Sequence, residues 1–286
     1  MKKILVTGAN GQLGQCLQKI SSQFEEFEFI FTDSETLDIT NKEEVNDFFW
    51  QNAPDFCINA AAYTAVDLAE TEVEIAFLVN ADGTENLAEA CAENNAQFIH
   101  VSTDYVFDGE NNLAYTEEDF TNPLGVYGAS KLAGDELALE VNPCSVILRT
   151  SWVYSEFGKN FVKTMLSLFA TKEELNIVAD QFGQPTNAND LAEAIMKIIK
   201  SEKITPGIFN FSNLGRISWF DFAEKIAELS DAKIKLNAIE TSQYPTPAKR
   251  PKNSVLDLDK ISKTYAIQLK PWEESLEGCV QILQNN

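Results

Sequence analysis

Residues 2–14 read Lys2-Lys3-Ile4-Leu5-Val6-Thr7-Gly8-Ala9-Asn10-Gly11-Gln12-Leu13-Gly14. The β-branched run from Lys2 to Thr7 predicts a short buried strand, and the residues after the glycines predict a helix to about Ile20. Glycines spaced G-x-x-G-x-x-G between a strand and a helix let the backbone turn tightly and approach a diphosphate, which the helix N–H groups then face. A plain glycine turn is the alternative, but the order of strand, glycines and helix favours a dinucleotide site.

Strand-like and helix-like segments alternate outward from this stretch as far as about Arg149. Further strands are predicted at 28–32, 55–58, 97–102 and 145–148, and helices at about 40–51, 72–94 and 125–139. The helix at 40–51 would open with a capping box, Thr40-Asn41-Lys42-Glu43. Such alternation predicts an α/β fold with a Rossmann-type, doubly wound parallel sheet that binds ligands at the carboxyl ends of its strands.

The pattern divides the chain into two unequal parts. Residues 1–150 are predicted to form the dinucleotide-binding domain, and residues 151–286 mainly a smaller substrate-binding lobe. Residues 186–200 are expected to return to the first domain as a helix. The second part is less regular, and contains the Pro-rich segment Tyr244-Pro245-Thr246-Pro247.

Composition excludes several classes of protein. The 286 residues are 44% hydrophobic and 10% aromatic, as in ordinary soluble proteins, and no apolar run nears the roughly 18 residues of a membrane helix. The strand at Lys2 leaves no room for a signal peptide. Five scattered cysteines without a C-x-x-C pair predict a reducing, cytoplasmic location. A net charge of −22 argues against nucleic acid or anionic membranes as partners.

Two scarce residue types limit the possible chemistry. His100 is the only histidine and lies in an apolar run, which predicts a strand residue and excludes a Ser-His-Asp triad. A histidine-rich metal site is equally untenable, and no metal is predicted. The three arginines are Arg149, Arg216 and Arg250, so a guanidinium clamp on a phosphate must use one of them.

Tyr127-Gly128-Ala129-Ser130-Lys131 places a phenol and an ammonium on one face of a predicted helix. A lysine beside a tyrosine favours the phenolate, so we expect the pKa of Tyr127 to lie below its usual value of about 10. The tyrosine would then serve as a proton donor or acceptor near neutral pH. Taken alone the pattern is weak, because surface helices carry it by chance.

Seven motifs together, in this order along the chain, resemble those of the dTDP-4-dehydrorhamnose reductases, a branch of the extended short-chain dehydrogenases. The motifs are Gly8-x-x-Gly11-x-x-Gly14, Asn59-Ala60-Ala61-Ala62, Ser102-Thr103-Asp104-Tyr105-Val106-Phe107-Asp108-Gly109, Tyr127-x-x-x-Lys131, Leu148-Arg149-Thr150-Ser151-Trp152-Val153-Tyr154, Asp180-Gln181-x-Gly183-x-Pro185-Thr186 and Arg250-Pro251-x-x-Ser254. The resemblance covers the whole chain. It implies reduction of the C4 ketone of dTDP-6-deoxy-L-lyxo-4-hexulose to dTDP-L-rhamnose, with hydride from NADPH or NADH.

The resemblance also implies a role for each matching residue. Tyr127 would protonate the developing alkoxide, Lys131 would hold the nicotinamide ribose, and Thr103 would polarise the ketone. The implied cofactor-binding residues are Gly8, Gly11, Gln12, Leu13 and Gly14 at the pyrophosphate, Asp33, Asp38 and Ile39 at the adenosine end, and Ala62, Tyr63, Thr64 and Val101 further along. Asp104 and Trp152 would line the sugar, and Arg250 would bind the diphosphate.

Several of these residues have a structural alternative. Asp33 is either a partner of the ribose 2′-OH or a solvated turn residue; its carboxylate would repel a 2′-phosphate and so favour NADH. Thr103 could end a strand, Asp38 could lie near a helix cap, and Trp152 could belong to the core. Arg149 could belong to a structural ion pair, whereas Arg216 does not match the family pattern and is expected at the surface.

Three questions stay open at this point. A nucleotide-sugar dehydratase or epimerase shares the glycines and the Tyr-Lys pair, although a dehydratase usually has Glu where Tyr105 follows Asp104. A regulatory subunit of methionine adenosyltransferase, which acts by binding a partner, also resembles the family. Some members dimerise through magnesium held by glutamates, but this chain has Gln15-Cys16-Leu17 in the corresponding stretch, so that dimer is doubtful and a homodimer is left open.

Overall fold

A computed structural model describes residues 1–285 of the protein. Its strands are β1 Lys2–Thr7, β2 Phe27–Phe31, β3 Phe56–Asn59, β4 Gln97–Thr103, β5 Val146–Thr150, β6 Val153–Tyr154, β7 Glu174–Val178, β8 Phe182–Gly183, β9 Thr186–Asn187, β10 Gly207–Asn210, β11 Ile217–Ser218 and β12 Lys235–Ile239. Its helices are α1 Gln12–Ser21, α2 Lys42–Asn52, α3 Val66–Ala69, α4 Val73–Phe77, α5 Gly83–Glu93, α6 Val126–Val141, α7 Phe161–Phe169, α8 Ala188–Ile199, α9 Trp219–Leu229, α10 Asp259–Tyr265 and α11 Trp272–Asn285.

Six strands form a parallel sheet in the order β10-β5-β4-β3-β1-β2. The predicted Rossmann-type α/β fold is therefore confirmed. The strand order reverses at β1, which has β2 on one side and β3 on the other, and such a reversal opens a crevice at the carboxyl ends of the strands. The edge strand β10 comes from the part of the chain that the sequence pattern assigned to the second lobe.

The central strands owe their position to uninterrupted apolar runs. Ile4, Leu5 and Val6 of β1 are fully buried, because helices cover both faces of a parallel sheet. Ile4 and Val6 pack into the core that includes α1 and α8, whereas Leu5 faces the opposite core with α2 and α5. The sheet is thus clamped between two apolar layers, which hold its carboxyl edge in place.

Two local predictions need correction. The predicted helix over residues 72–94 is split by a turn of π-helix at Leu78–Asp82, between α4 and α5. The helix α2 is capped by Asn41, whose side chain accepts a hydrogen bond from the Glu44 backbone N–H, and not by Thr40. The capping residue was misplaced by one because Asn and Thr both favour this position.

The second part of the chain builds a core of its own from α7, α9, α11 and three two-stranded sheets, β6-β9, β8-β11 and β7-β12. Helix α8 packs on α1 in the first core, where the sequence pattern predicted a returning helix, and Ile261 and Tyr265 of α10 join the same core. The division at about residue 150 stays a prediction about domains. Within residues 1–285, none of the helices is long and apolar enough to cross a membrane.

Candidate active site

Gly8 and Gly14, on either side of the turn after β1, are packed too closely for a side chain. Gly8 has a φ of 68°, and a Cβ there would lie 2.6 Å from the Ala61 backbone nitrogen. A Cβ on Gly14 would lie 2.4 Å from the Gly8 carbonyl oxygen, so α1 rests directly on the turn. The start of α1, with Gly11 at its N-cap, therefore faces the crevice at the sheet reversal, as a diphosphate site requires.

A cavity of about 420 Å³ opens beside this turn. Six of the residues predicted to bind the cofactor line it: Gly8, Gly11, Asp33, Asp38, Ile39 and Ala62. Gln12 follows at the helix start, but its side chain turns away and accepts a hydrogen bond of 2.9 Å from Asn160. Leu13 has a buried side chain, so only its backbone is available to a ligand at the helix start. The residues that line this cavity, together with the start of α1, fit a dinucleotide.

The two acidic residues on the cavity wall also organise the backbone around them. Asp33 Oδ1 accepts hydrogen bonds from the Thr36 N–H at 3.1 Å and the Thr36 hydroxyl at 2.9 Å. The Thr36 hydroxyl holds the pKa of Asp33 below its usual value, so the side chain is a carboxylate. Asp38 Oδ1 accepts from the Thr40 N–H at 3.0 Å. Both acids therefore form turns as well as lining the cavity, and their contact with a cofactor stays a prediction.

Thr103 ends β4 at the same edge of the sheet and Asp104 directly follows it, next to α6. The Thr103 hydroxyl lies 3.0 Å from Asp104 Oδ1 and accepts a hydrogen bond from the Tyr105 N–H at 3.2 Å. The rings of Tyr105 and Tyr127 meet edge to face, 5.7 Å apart. Lys131 lies one turn further along α6, in the buried interior. The structure thus brings together the residues that the sequence motifs placed in separate segments.

The expectation of a lowered pKa for Tyr127 is wrong in this structure. Burial raises the pKa of Tyr127 to about 12, although the Thr103 hydroxyl acts in the opposite direction. Burial also lowers the pKa of Lys131 to about 8. Lys131 Nζ contacts the Val101 carbonyl oxygen at 2.8 Å and His100 Nε2 at 3.0 Å. An i, i+4 spacing predicts a shared helix face, but the buried partners decide where the ammonium points.

Asp104 is a buried carboxyl group with an unsatisfied atom. Its side chain is 2% exposed, and Oδ2 has no hydrogen-bond partner within residues 1–285. Burial raises the pKa of Asp104 to about 7, while the hydroxyls of Ser254 and Thr103 act in the opposite direction. Near neutral pH the group is therefore protonated in a large fraction of molecules, which the sequence did not indicate.

Asn80 connects the segment around Tyr63 to helix α6. Its side chain accepts a hydrogen bond of 2.8 Å from the Tyr63 N–H and donates to the Tyr63 carbonyl at 3.1 Å and to the Ser130 hydroxyl at 3.0 Å. Ser130 in turn donates to the Tyr127 carbonyl at 2.9 Å. Sequence reasoning missed Asn80 because it lies in the π-helical turn, which hydrophobic periodicity does not reveal.

The remaining predicted cofactor residues lie beside this connection. Tyr63 donates its phenol to Glu72 at 2.6 Å, and Thr64 is exposed. The Val101 carbonyl oxygen accepts the hydrogen bond from Lys131 Nζ.

A group of three or more His, Cys, Asp or Glu side chains placed to hold a metal ion does not occur among the residues that the structure describes.

Trp152 follows β5 in a strained backbone conformation. Its φ is 47°, which a bulky residue rarely adopts, and its indole stacks on Trp219 with ring centroids 3.5 Å apart. A Cβ on Gly183 would lie 2.6 Å from the indole, so the ring is wedged against the Gly183 backbone. The strain and the two flanking groups fix the orientation of Trp152 at the carboxyl edge of the sheet.

The arginines differ sharply in their surroundings. Arg250 bonds Asp67 at 3.0 Å and donates to the Ala248 carbonyl at 3.1 Å. Arg149 is buried and paired with Asp135 at 3.2 Å, which identifies it as part of an ion pair. Arg216 is exposed and lies over the Phe182 ring, as expected of a surface residue. The charge of Arg250 acts on the Tyr105 phenol, whose ring contacts that of Tyr127, so Arg250 is the arginine placed beside these two tyrosines.

Comparison with known proteins agrees with this geometry. The family model described as RmlD substrate binding domain matches residues 1–285. The dTDP-4-dehydrorhamnose reductase of Aggregatibacter actinomycetemcomitans is 46% identical over 97% of this chain and 98% of its own length.

Solved structures of two enzymes of that name superpose closely. The protein from Clostridium acetobutylicum has a TM-score of 0.94 at 43% identity, covering 99% of each chain. The protein from Bacillus anthracis, in complex with NADP, has a TM-score of 0.95 at 39% identity and covers 99% of this chain and 100% of its own. The chain therefore belongs to the dTDP-4-dehydrorhamnose reductase family.

Proposed function

We propose that this protein is an NAD(P)H-dependent oxidoreductase that reduces the C4 ketone of dTDP-6-deoxy-L-lyxo-4-hexulose to dTDP-L-rhamnose. The observation that carries the proposal is that the Thr103 hydroxyl bonds the Tyr127 phenol, with Lys131 one turn further along α6, at the sheet edge that also holds the glycine turn and its cavity. Family membership over the whole chain supports the same reaction. The dehydratase, epimerase and regulatory-subunit alternatives have no comparable support.

A dinucleotide bound along the glycine turn would supply a hydride to the ketone carbon. The protein must then stabilise and protonate the oxygen on which negative charge develops. Tyr127 is the proton donor in this proposal, since its phenol has a pKa of about 12 and stays protonated until charge builds up on the substrate oxygen. Thr103 donates a second hydrogen bond to that oxygen.

Asp104 determines whether Thr103 can donate to the substrate. A hydroxyl has one proton, and an ionised Asp104 only 3.0 Å away would accept it. A protonated Asp104 instead donates to the Thr103 oxygen, which leaves the Thr103 proton for the ketone. The raised pKa of Asp104, about 7, makes this arrangement available near neutral pH. The carboxyl group thus acts as a neutral hydrogen-bond donor in the proposed mechanism.

Lys131 restores the proton that Tyr127 gives up. Its ammonium has a pKa of about 8 and the Tyr127 phenol one of about 12, so transfer from ammonium to phenolate is favourable. Arg250 would bind the diphosphate of the substrate as a charge-assisted donor, and Trp152 would line the sugar. Gly8, Gly11, Gln12, Leu13 and Gly14 would hold the pyrophosphate of the dinucleotide.

Three finer points are proposals as well. We place the protein in the cytoplasm, since all five cysteines are free thiols as in a reducing compartment. Either NADPH or NADH fits the site; the carboxylate of Asp33 favours NADH, whereas a relative binds NADP. A homodimer is compatible with family membership.

The purified protein tests the function directly. With NADPH and the dTDP-4-keto sugar, it should oxidise one cofactor for each rhamnosyl product. Tyr127→Phe should remove nearly all turnover while NADPH still binds, because only the acidic hydroxyl is lost. Absence of NADPH oxidation by the unaltered protein would refute the reductase, and an active Tyr127→Phe variant would refute the proton donor.

A further inference from the structure

Lys131 lies in a fully buried group of ionisable side chains behind the catalytic residues. Lys131, His100, Asp135 and Arg149 are each 2% exposed or less. Arg149 Nε donates to Asp135 Oδ2 at 3.2 Å, and His100 Nε2 lies 3.0 Å from Lys131 Nζ and 3.8 Å from Asp135 Oδ1. These contacts come from three elements, β4, β5 and α6, so tertiary packing alone assembles the group.

The position of the histidine proton follows from hydrogen bonds on the other side of the ring. The Ala61 N–H, which can only donate, bonds Asn59 Oδ1 at 3.1 Å and so fixes the orientation of the Asn59 amide. Asn59 Nδ2 consequently faces His100 Nδ1 at 3.0 Å and donates to it. A neutral imidazole that accepts at Nδ1 carries its single proton on Nε2.

That proton points at Lys131. An ammonium has only donors, so a contact of 3.0 Å between Nε2–H and Nζ is a hydrogen bond only when Nζ is a neutral amine. The charges agree with this assignment. Asp135 is already paired with Arg149, so it offsets only part of the cost of burying a charge on Lys131, and burial lowers the pKa of Lys131 despite it. Burial keeps His100 neutral by lowering its pKa well below the usual value, and Lys131 lowers that pKa further whenever its amine is protonated.

We infer that His100 is a positioning residue for the proposed reduction, whose Nε2–H makes the Lys131 amine a hydrogen-bond acceptor and so drives the Lys131 proton towards Tyr127. The inference rests on the proposed function. In each turnover the Tyr127 O–H bond breaks as the alkoxide is protonated, and an N–H bond of the Lys131 ammonium breaks as the phenolate regains its proton. The amine then accepts from His100 until it takes up a proton from solvent, so charge and protons balance.

Nitrogen NMR of histidine-labelled, untagged protein tests the proton position without any turnover. His100 is the only histidine, so one pair of ring nitrogens is observed. We expect a neutral ring with Nε2 protonated and Nδ1 unprotonated across neutral pH. A ring protonated on Nδ1, or on both nitrogens, would overturn the inference even if the protein is a fully active reductase.

A kinetic experiment tests the consequence. His100→Phe keeps a flat ring of similar size but removes the Nε2–H. The loss of a hydrogen bond that opposes the charged form of Lys131 should shift the alkaline limb of the pH dependence of kcat upward by about one to two pH units. Phe98→Leu is the control, because Phe98 stacks on the His100 ring without contacting Lys131 through a polar atom, and it should leave the limb in place. Asp104 is unchanged in both variants, so its titration cancels in the comparison.

The outcomes separate the inference from the proposed function. If the alkaline limb of the pH–rate profile does not shift in a folded His100→Phe protein, the role of His100 is refuted. An equal shift in Phe98→Leu refutes it as well. A wild-type protein without reductase activity refutes the function, while the nitrogen spectrum still decides the proton position. If His100→Phe does not fold, the spectrum of the unaltered protein remains the deciding measurement.

Discussion

The substitution Asp104→Asn should stabilise the protein at neutral and alkaline pH. Asp104 is 2% exposed, its Oδ2 lacks a hydrogen-bond partner among residues 1–285, and burial raises its pKa from 3.8 to about 7. The folded state therefore binds a proton that the unfolded state releases. The stability that this proton contributes is fully present below pH 3.8 and is lost as the pH rises through about 7.

The size of the change in the free energy of unfolding follows from the shift in the pKa of Asp104. A difference of roughly three pKa units corresponds to about 4 kcal/mol, since each unit is worth about 1.4 kcal/mol. Asn has the shape of the protonated acid and has no charge to desolvate, so it avoids this loss. Relative to the unaltered protein, the free energy of unfolding of Asp104→Asn should change little near pH 4 and rise by on the order of 4 kcal/mol above pH 7.

Urea unfolding at several pH values between about 4 and 8 measures this difference. The exposed Asp47→Asn is the control, since it removes one carboxylate from a solvated site. A constant difference for Asp104→Asn across this range would show that Asp104 is ionised in the folded state, and would refute its assignment as a neutral donor to Thr103.

Two further predictions concern the proposed phosphate contacts, at Gly14 for the cofactor and at Arg250 for the sugar nucleotide. Gly14→Ala should lower the free energy of unfolding by about 1–2 kcal/mol, since overpacking against the Gly8 carbonyl outweighs the gain in helix propensity. It should also weaken NADPH binding in a fluorescence titration. Gly278→Ala is the control, because a Cβ there meets open space, and it should raise the free energy of unfolding by up to about 1 kcal/mol. Equal effects of Gly14→Ala and Gly278→Ala would contradict the close packing around Gly14. Arg250→Lys should raise the KM for the sugar nucleotide about tenfold or more while leaving that for NADPH unchanged, because the bidentate fork is lost. Arg216→Lys is the matched control, and an equal rise there would refute the diphosphate role.

The sequence predicted the main sheet well because its signals are local. Apolar β-branched runs, glycines and helical periodicity each depend on neighbouring residues, and they located β1 to β5 and α1 to within a few residues. The edge strand β10 was missed because its pairing with β5 depends on residues about 60 positions away in the chain. The π-helical turn at Leu78–Asp82 was missed because it interrupts the backbone hydrogen bonds without changing the hydrophobic pattern.

The site divides in the same way. By itself the sequence supplied the glycine turn, the Thr103 and Asp104 pair and the Tyr127 to Lys131 spacing, since residue type and order carry that information. Only the tertiary structure decided that Tyr127 has a raised pKa, that Asp104 is a candidate neutral donor and that Lys131 meets His100. The physical reason is that a pKa depends on burial and on partners from other elements, which motif spacing does not contain.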